Sequence, residues 1–230
     1  SHMTDNGEFR ATETWIAVGD AQDVRLRPEA MELLQVDNGA QLVGLQFLDR
    51  AIRDALSGYE PGIDLFIGPS RVGKSELLRI LKAHYPAGRV DGKLSCPVLI
   101  VPVKSGTAPR GLPLQVLRAL GVPIPRGARS QGQLDALMLD QLEIAGVRVI
   151  LFEECSHLVD AGTKVMPRQA ADWFKDLSES RVRPSLILVG LPRLRKLITC
   201  NDQLGLRANA PFVLAPYRWN ITAEREEFSS

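Results

Sequence analysis

The segment Gly68-Pro69-Ser70-Arg71-Val72-Gly73-Lys74-Ser75 satisfies the spacing G-x-x-x-x-G-K-[ST]. The two glycines let the backbone turn so that successive N–H groups face one anion. A helix opening at the end of the loop adds the positive end of its dipole. From there the Lys74 ammonium can reach the β- and γ-phosphates of a nucleotide, and the Ser75 hydroxyl can ligate Mg²⁺. A pattern this short can arise by chance in an ordinary strand–turn–helix. Its setting argues otherwise: the apolar run Ile63–Ile67 precedes it and the amphipathic SELLRILKAHY follows. Gly68, Pro69, Ser70, Arg71, Val72, Gly73, Lys74 and Ser75 are therefore the expected nucleotide contacts.

A second chemical element is VRVILFEECSHLVD, an apolar strand ending in two carboxylates. Beside a phosphate loop, one such carboxylate holds the water shell of the magnesium and the next orients the attacking water. By position Glu153 is the metal-side residue and Glu154 the base. On its own the pair would read as solvated charges at a strand end. Glu153 is a methylene longer than the more usual Asp, which bears on magnesium geometry and hydrolysis rate. His157 reads as a structural or surface residue and Cys155 as packing, since no Cys–His–acid arrangement surrounds it.

The elements that must carry these groups follow from periodicity. Leu42, Leu45, Leu48, Ile52 and Leu56 recur at helical spacing over residues 41–57. Strands are expected at Ile63–Gly68, Cys96–Val103, Val147–Phe152, Ser185–Gly190 and Ala210–Tyr217. Helices are expected at 75–85, Leu112–Gly121, Gln133–Gly146 and Arg168–Ser180, with a short one over 192–200. Near-continuous apolar strands separated by helices imply an α/β fold, a parallel sheet sandwiched by helices. Ser1-His2-Met3 resembles a tag scar, and residues 4–40 read as an N-terminal extension on a main domain at 41–219.

The net charge is +1, so no global field draws the chain to nucleic acid or membrane, and such binding must be local. Cys96, Cys155 and Cys200 fit neither a zinc spacing nor a disulfide framework, which points to a reduced, cytoplasmic setting. No apolar run approaches the roughly 20 residues of a membrane span.

Downstream, LILVGLPRLRKLI leads to Asn201-Asp202-Gln203-Leu204-Gly205-Leu206-Arg207 and a last strand. An arginine placed before such a strand can reach a neighbouring subunit's γ-phosphate and neutralise transition-state charge; an ordinary surface arginine is the alternative. The order GPSRVGKS, VILFEECSHL, LILVGLP, NDQLGLR, LAPYRW resembles the transposition AAA+ ATPases of the TniB and TnsC type, over about residues 40–219. The resemblance implies ATP and Mg²⁺ as ligands and Arg207 as a finger acting in trans. It also implies homo-oligomers, rings or filaments, on double-stranded DNA. ATP-dependent recruitment of a transposase would follow, with a target-selection protein as a further partner. Three departures stand out. Glu153 replaces Asp. Leu191 occupies the place of a small polar phosphate sensor. Few residues follow Trp219, so residues 220–230 are expected to hold no more than the start of a helical lid.

Local basic clusters are the candidates for DNA contact. One comprises Lys104, Arg110, Arg118, Arg126 and Arg129; the other Arg181, Arg183, Arg193, Arg195 and Lys196. Each also fits an ordinary solvated surface. The resemblance favours the first, with Lys104, Arg110, Arg126 and Arg129 foremost. No aromatic platform interleaves with either, so contact would be largely sequence-independent. A helicase loader, a signalling ATPase without DNA, and a small-molecule P-loop kinase remain the alternative functions.

Overall fold

The computed structural model describes residues 39–124, 130–160 and 165–214. Residues 4–38 of the N-terminal extension, residues 220–230, Arg126 and Arg129 lie outside them.

Strand β1 (Ile63–Ile67) is only five residues long and cannot be a stable helix, so its backbone must find partners on both sides. It finds them in a parallel sheet ordered β4-β5-β6-β1-β7, with β4 at Val98–Pro102, β5 at Val149–Glu153, β6 at Ser185–Gly190 and β7 at Phe212–Val213. The registers run Ile63↔Leu186 to Ile67↔Gly190 for β1–β6, and Val98↔Val149 to Pro102↔Glu153 for β4–β5.

The strands read as unbroken apolar runs because both faces of the sheet are covered. Leu65, Ile67, Ile150, Phe152, Leu186 and Leu188 join one core cluster; Phe66, Val149, Leu151, Ile187 and Val189 join the other. This is the two-residue alternation of a strand, with apolar residues at both phases. Helices α1 (Gly39–Leu56) and α2 (Lys74–His84) cover the second face. Helices α3 (Leu112–Ala119), α4 (Gln131–Ile144) and α5 (Val165–Glu179) cover the first, with α6 (Lys196–Thr199) and α7 (Asp202–Arg207) alongside. No described helix is long and apolar enough to cross a membrane.

Several boundaries differ from expectation, each for a local reason. Strand β4 begins at Val98 because Pro97 has no N–H to give the ladder. Helix α4 begins at Gln131 because Ser130 caps it: its Oγ accepts from Gln133 N–H while the Gln133 side chain accepts from Ser130 N–H. Helix α5 starts before Pro167, which sits in the first turn where no donor is needed. Within the described residues the last strand is β7 alone. An unexpected antiparallel hairpin, β2 (Gly88–Val90) and β3 (Lys93–Ser95), projects between α2 and β4. Asp91 and Gly92 at its tip both take positive φ, as a type I′ turn requires.

Helices α1 and α2 are joined by a buried charge. Asp49 is 3% exposed; it accepts from the Tyr85 hydroxyl at 2.5 Å and pairs with Arg53 at 2.9 Å. Burial, and after it the Asp49 carboxylate, push the Tyr85 phenol above its ordinary range, so it stays protonated and donating. Tyr85→Phe removes one donor from a buried carboxylate and should destabilise the fold by about 1–2 kcal/mol, read as a lower urea midpoint with an unchanged m-value.

Candidate functional site

Because all strands of the main sheet are parallel, their carboxyl ends share one edge, and the loops leaving β1, β5 and β6 meet there. Between them lies a cleft of about 250 Å³ lined by Ser70, Arg71, Gly73, Lys74, Ser75, Glu76, Glu154, Gly190 and Leu191. That is smaller than the roughly 300–1,000 Å³ of a whole small-ligand pocket, and suits the phosphate end of a nucleotide.

The loop from Gly68 to Gly73 is shaped by its glycines. Gly73, at φ 89°, is the residue before α2, and a side chain there would be strained and would strike the Gln41 amide. A Cβ on Gly68 would lie 2.9 Å from the Leu214 carbonyl oxygen. Gln41, on α1, donates to the Val72 carbonyl at 3.3 Å and so braces the loop from outside. The Lys74 ammonium donates to the carbonyls of Gly68 (2.7 Å) and Pro69 (2.6 Å). Burial lowers its pKa, and the Glu154 charge partly opposes this.

Across the cleft, β5 ends at Glu153 and the backbone turns sharply. Glu154 takes φ 64°, and its side chain is exposed at the cleft wall. Glu153 is half-buried and does not line the cleft; its carbonyl accepts from Val103 N–H at 2.8 Å. Of the two carboxylates, only Glu154 faces the phosphate loop directly. Behind it stands a row of polar side chains: His157 Nε2 lies 3.8 Å from Glu154, His157 Nδ1 lies 3.6 Å from Asp160, and Asp160 pairs with Arg193. The Arg193 guanidinium holds the Asp160 carboxyl below its usual range. Cys155 is fully buried and its thiol is pushed up by that burial, so it packs and does not react.

The third wall is Gly190-Leu191. Leu191 N–H donates to Ser156 Oγ at 2.6 Å, and a Cβ on Gly190 would lie 2.4 Å from that oxygen. Leu191 thus reaches the cleft with an apolar side chain, as its place after Val189-Gly190 implied. Spacing alone did not reveal Gln41, Ser156 or Gly190 as parts of the site, because each acts through a tertiary contact.

Arg207 closes α7 away from this cleft and pairs with Glu179 at 2.9 Å. The second basic cluster is largely neutralised: Arg181 pairs with Asp140 and Glu143, Arg183 with Glu60 at 2.6 Å, and Arg193 with Asp160. In the first cluster Lys104, Arg110 and Arg118 are exposed and form no ion pair among the described residues. Those residues also contain no group of three or more His, Cys, Asp or Glu fit to hold a metal alone. Ser75 and Glu153 are the residues expected from the sequence to hold a metal; of the two, Ser75 lines the cleft.

Gly190→Ala should force β6 from the Ser156 turn, costing about 1–3 kcal/mol of stability. It should also weaken nucleotide binding, measured by thermal melts with and without Mg-nucleotide.

A family model for the AAA domain matches residues 58–198, more than half of the chain. No curated protein matches it significantly. Solved structures do. Cdc6p from Pyrobaculum aerophilum superposes with a TM-score of 0.52 at 18% identity, over 87% of this chain and 49% of that one. ORC1 of Aeropyrum pernix, solved in complex with DNA, gives 0.54 at 19% over 85% and 53%. ORC2 of Aeropyrum pernix, solved as ADPNP–ADP complexes, gives 0.55 at 18% over 84% and 52%. The chain therefore spans about half the length of these structures, whose likeness concerns the fold. Sheet order, phosphate loop and matched segment agree, and the chain belongs to the AAA domain family, with the AAA+ P-loop NTPase fold.

Proposed function

We propose that the chain is an Mg²⁺-dependent ATPase that assembles on duplex DNA and regulates transposition, in the manner of the TniB and TnsC proteins it resembles. The observation that carries the ATPase reading is the cleft that sets Lys74 and Ser75 opposite Glu154. The loop's N–H groups and the Lys74 ammonium hold the phosphates, Lys74 leaving the Gly68 and Pro69 carbonyls to do so. Ser75 and Glu153 hold the metal and its water shell. Mg²⁺, when bound, neutralises charge on the phosphates. Glu154, exposed at the wall, orients and deprotonates the attacking water. Arg207 acts on a neighbouring subunit's phosphate, exchanging Glu179 for that anion.

Lys104 and Arg110, without acidic partners among the described residues, face DNA phosphates, joined by Arg126 and Arg129. ATP favours assembly into rings or filaments in the cytoplasm, hydrolysis favours release, and the assembled form recruits or activates a transposase. The transposition role rests on the order of motifs in the sequence. The main domain is taken as residues 41–219, with an N-terminal extension before it. A second reading, a helicase-loader-like ATPase, draws support from the likeness to Cdc6p and to the DNA-bound ORC1.

ATP turnover measured with and without duplex DNA tests the scheme. Lys74→Ala should abolish nucleotide binding. Glu154→Gln should keep binding but slow turnover by about 10²-fold or more. Arg207→Ala should lower DNA-stimulated turnover by about 10³-fold while costing little stability, since its pair with Glu179 is solvent-exposed. DNA-independent turnover that survives Arg207→Ala would sink the assembly mechanism. Electron microscopy with duplex DNA and a non-hydrolysable ATP analogue separates the two readings. Rings or filaments coating arbitrary sequence favour the transposition regulator, and isolated particles favour the loader.

A further inference from the structure

Among the described residues, four that are not glycine have positive φ: Arg71 (62°), Asp91 (51°), Glu154 (64°) and Arg183 (46°). Asp91 is at the hairpin tip, and Arg183 lies in the turn into β6 with its guanidinium on Glu60. The other two line the same cleft. Left-handed backbone is sterically costly for a residue with a Cβ, and glycine would adopt it freely. Strain of this kind persists where surrounding structure enforces it and clusters at functional sites.

Within the fold, the Arg71 side chain gains nothing in return. It is exposed and makes no hydrogen bond or ion pair among the described residues. The other charged residues of the cleft are engaged: Lys74 on the Gly68 and Pro69 carbonyls, Glu76 on Arg79, and Glu154 near His157. A second cation at the lip of an anion-binding loop, unpaired with either carboxylate of the cleft, lacks only an anion.

We propose that the Arg71 guanidinium is an additional phosphate-binding group supplied in cis, favouring nucleoside triphosphates over diphosphates. This goes beyond the backbone contact that any residue at this place in the loop would make, and it rests on the nucleotide reading of the cleft. A guanidinium presents a planar fork of donors that matches two phosphate oxygens at once, which a lysine cannot reproduce. The added charge of a triphosphate gives that fork more to hold.

The test is titration calorimetry with Mg-ADPNP and Mg-ADP on the wild-type chain, Arg71→Gly, Arg71→Lys and Lys74→Ala, with thermal melts of each. Arg71→Gly should weaken ADPNP about tenfold and ADP no more than about threefold. Its thermal midpoint should be unchanged or up to about 4 °C higher, because relieved strain offsets the greater freedom of unfolded glycine. Arg71→Lys should recover part of the ADPNP affinity. The proposal is overturned if Arg71→Gly binds ADPNP within about twofold of wild type, or if both nucleotides weaken equally. A lowered midpoint for Arg71→Gly would overturn it too, since the glycine would then not relieve strain. If the wild-type chain binds neither nucleotide, the reading of the cleft itself fails; if it binds both and only the arginine variants behave like wild type, the inference alone fails.

Discussion

Where β1, β5 and β6 end, their backbones approach more closely than a side chain would allow. Gly68 N–H donates to the Gly190 carbonyl at 3.1 Å, and Gly190 in turn leaves 2.4 Å between a hypothetical Cβ and Ser156 Oγ. The cleft is the gap left above this junction. Its walls are main chain held in register by a parallel ladder, and the ladder is held by two apolar faces. Lys74, Ser75 and Glu154 are set at their places because they follow the ends of strands that the parallel ladder and the helices packed on both faces hold in register.

The charges around the cleft form two systems with different partners. On the phosphate-loop side, Lys74 rests on backbone carbonyls and Arg71 has no partner among the described residues, so an arriving anion meets little competition. On the opposite side, Glu154 is followed by His157, Asp160 and Arg193 in alternating contact, which ties the turn after β5 to the segment after β6. A displacement of Leu191 would therefore be felt at Glu154 by two routes, through the Ser156 hydroxyl and through the Asp160–Arg193 pair.

The central strands were legible because burial on both faces leaves an unbroken apolar run, and the loop was legible because its chemistry demands particular residues at particular spacings. Edges were less so. Pro97 and the Ser130–Gln133 cap moved boundaries that apolar periodicity alone placed two residues away. The β2–β3 hairpin carried its Asp91-Gly92 turn signal without the alternating apolar flanks that would make it readable. Arg181, Arg183 and Arg193 looked like a free basic patch because their acids, Asp140, Glu143, Glu60 and Asp160, come from segments remote in the chain. Gln41 and Ser156 are ordinary residues until the fold sets them beside the loop and the Gly190 turn.

Helix α1 holds the chain on either side of α2. Near its start Gln41 grips the phosphate loop at Val72, and two turns on Asp49 holds Tyr85, the residue that caps α2. The rod is about 27 Å long at 1.5 Å per residue. It behaves as a splint laid along the helix that carries Lys74 and Ser75, fastened at the loop and again at the far end. A shift of the phosphate loop would then move the whole splint rather than bend it. Gly39, at the start of the splint, is within one helical turn of Gln41, so this end of the helix is the one tied to the phosphate loop.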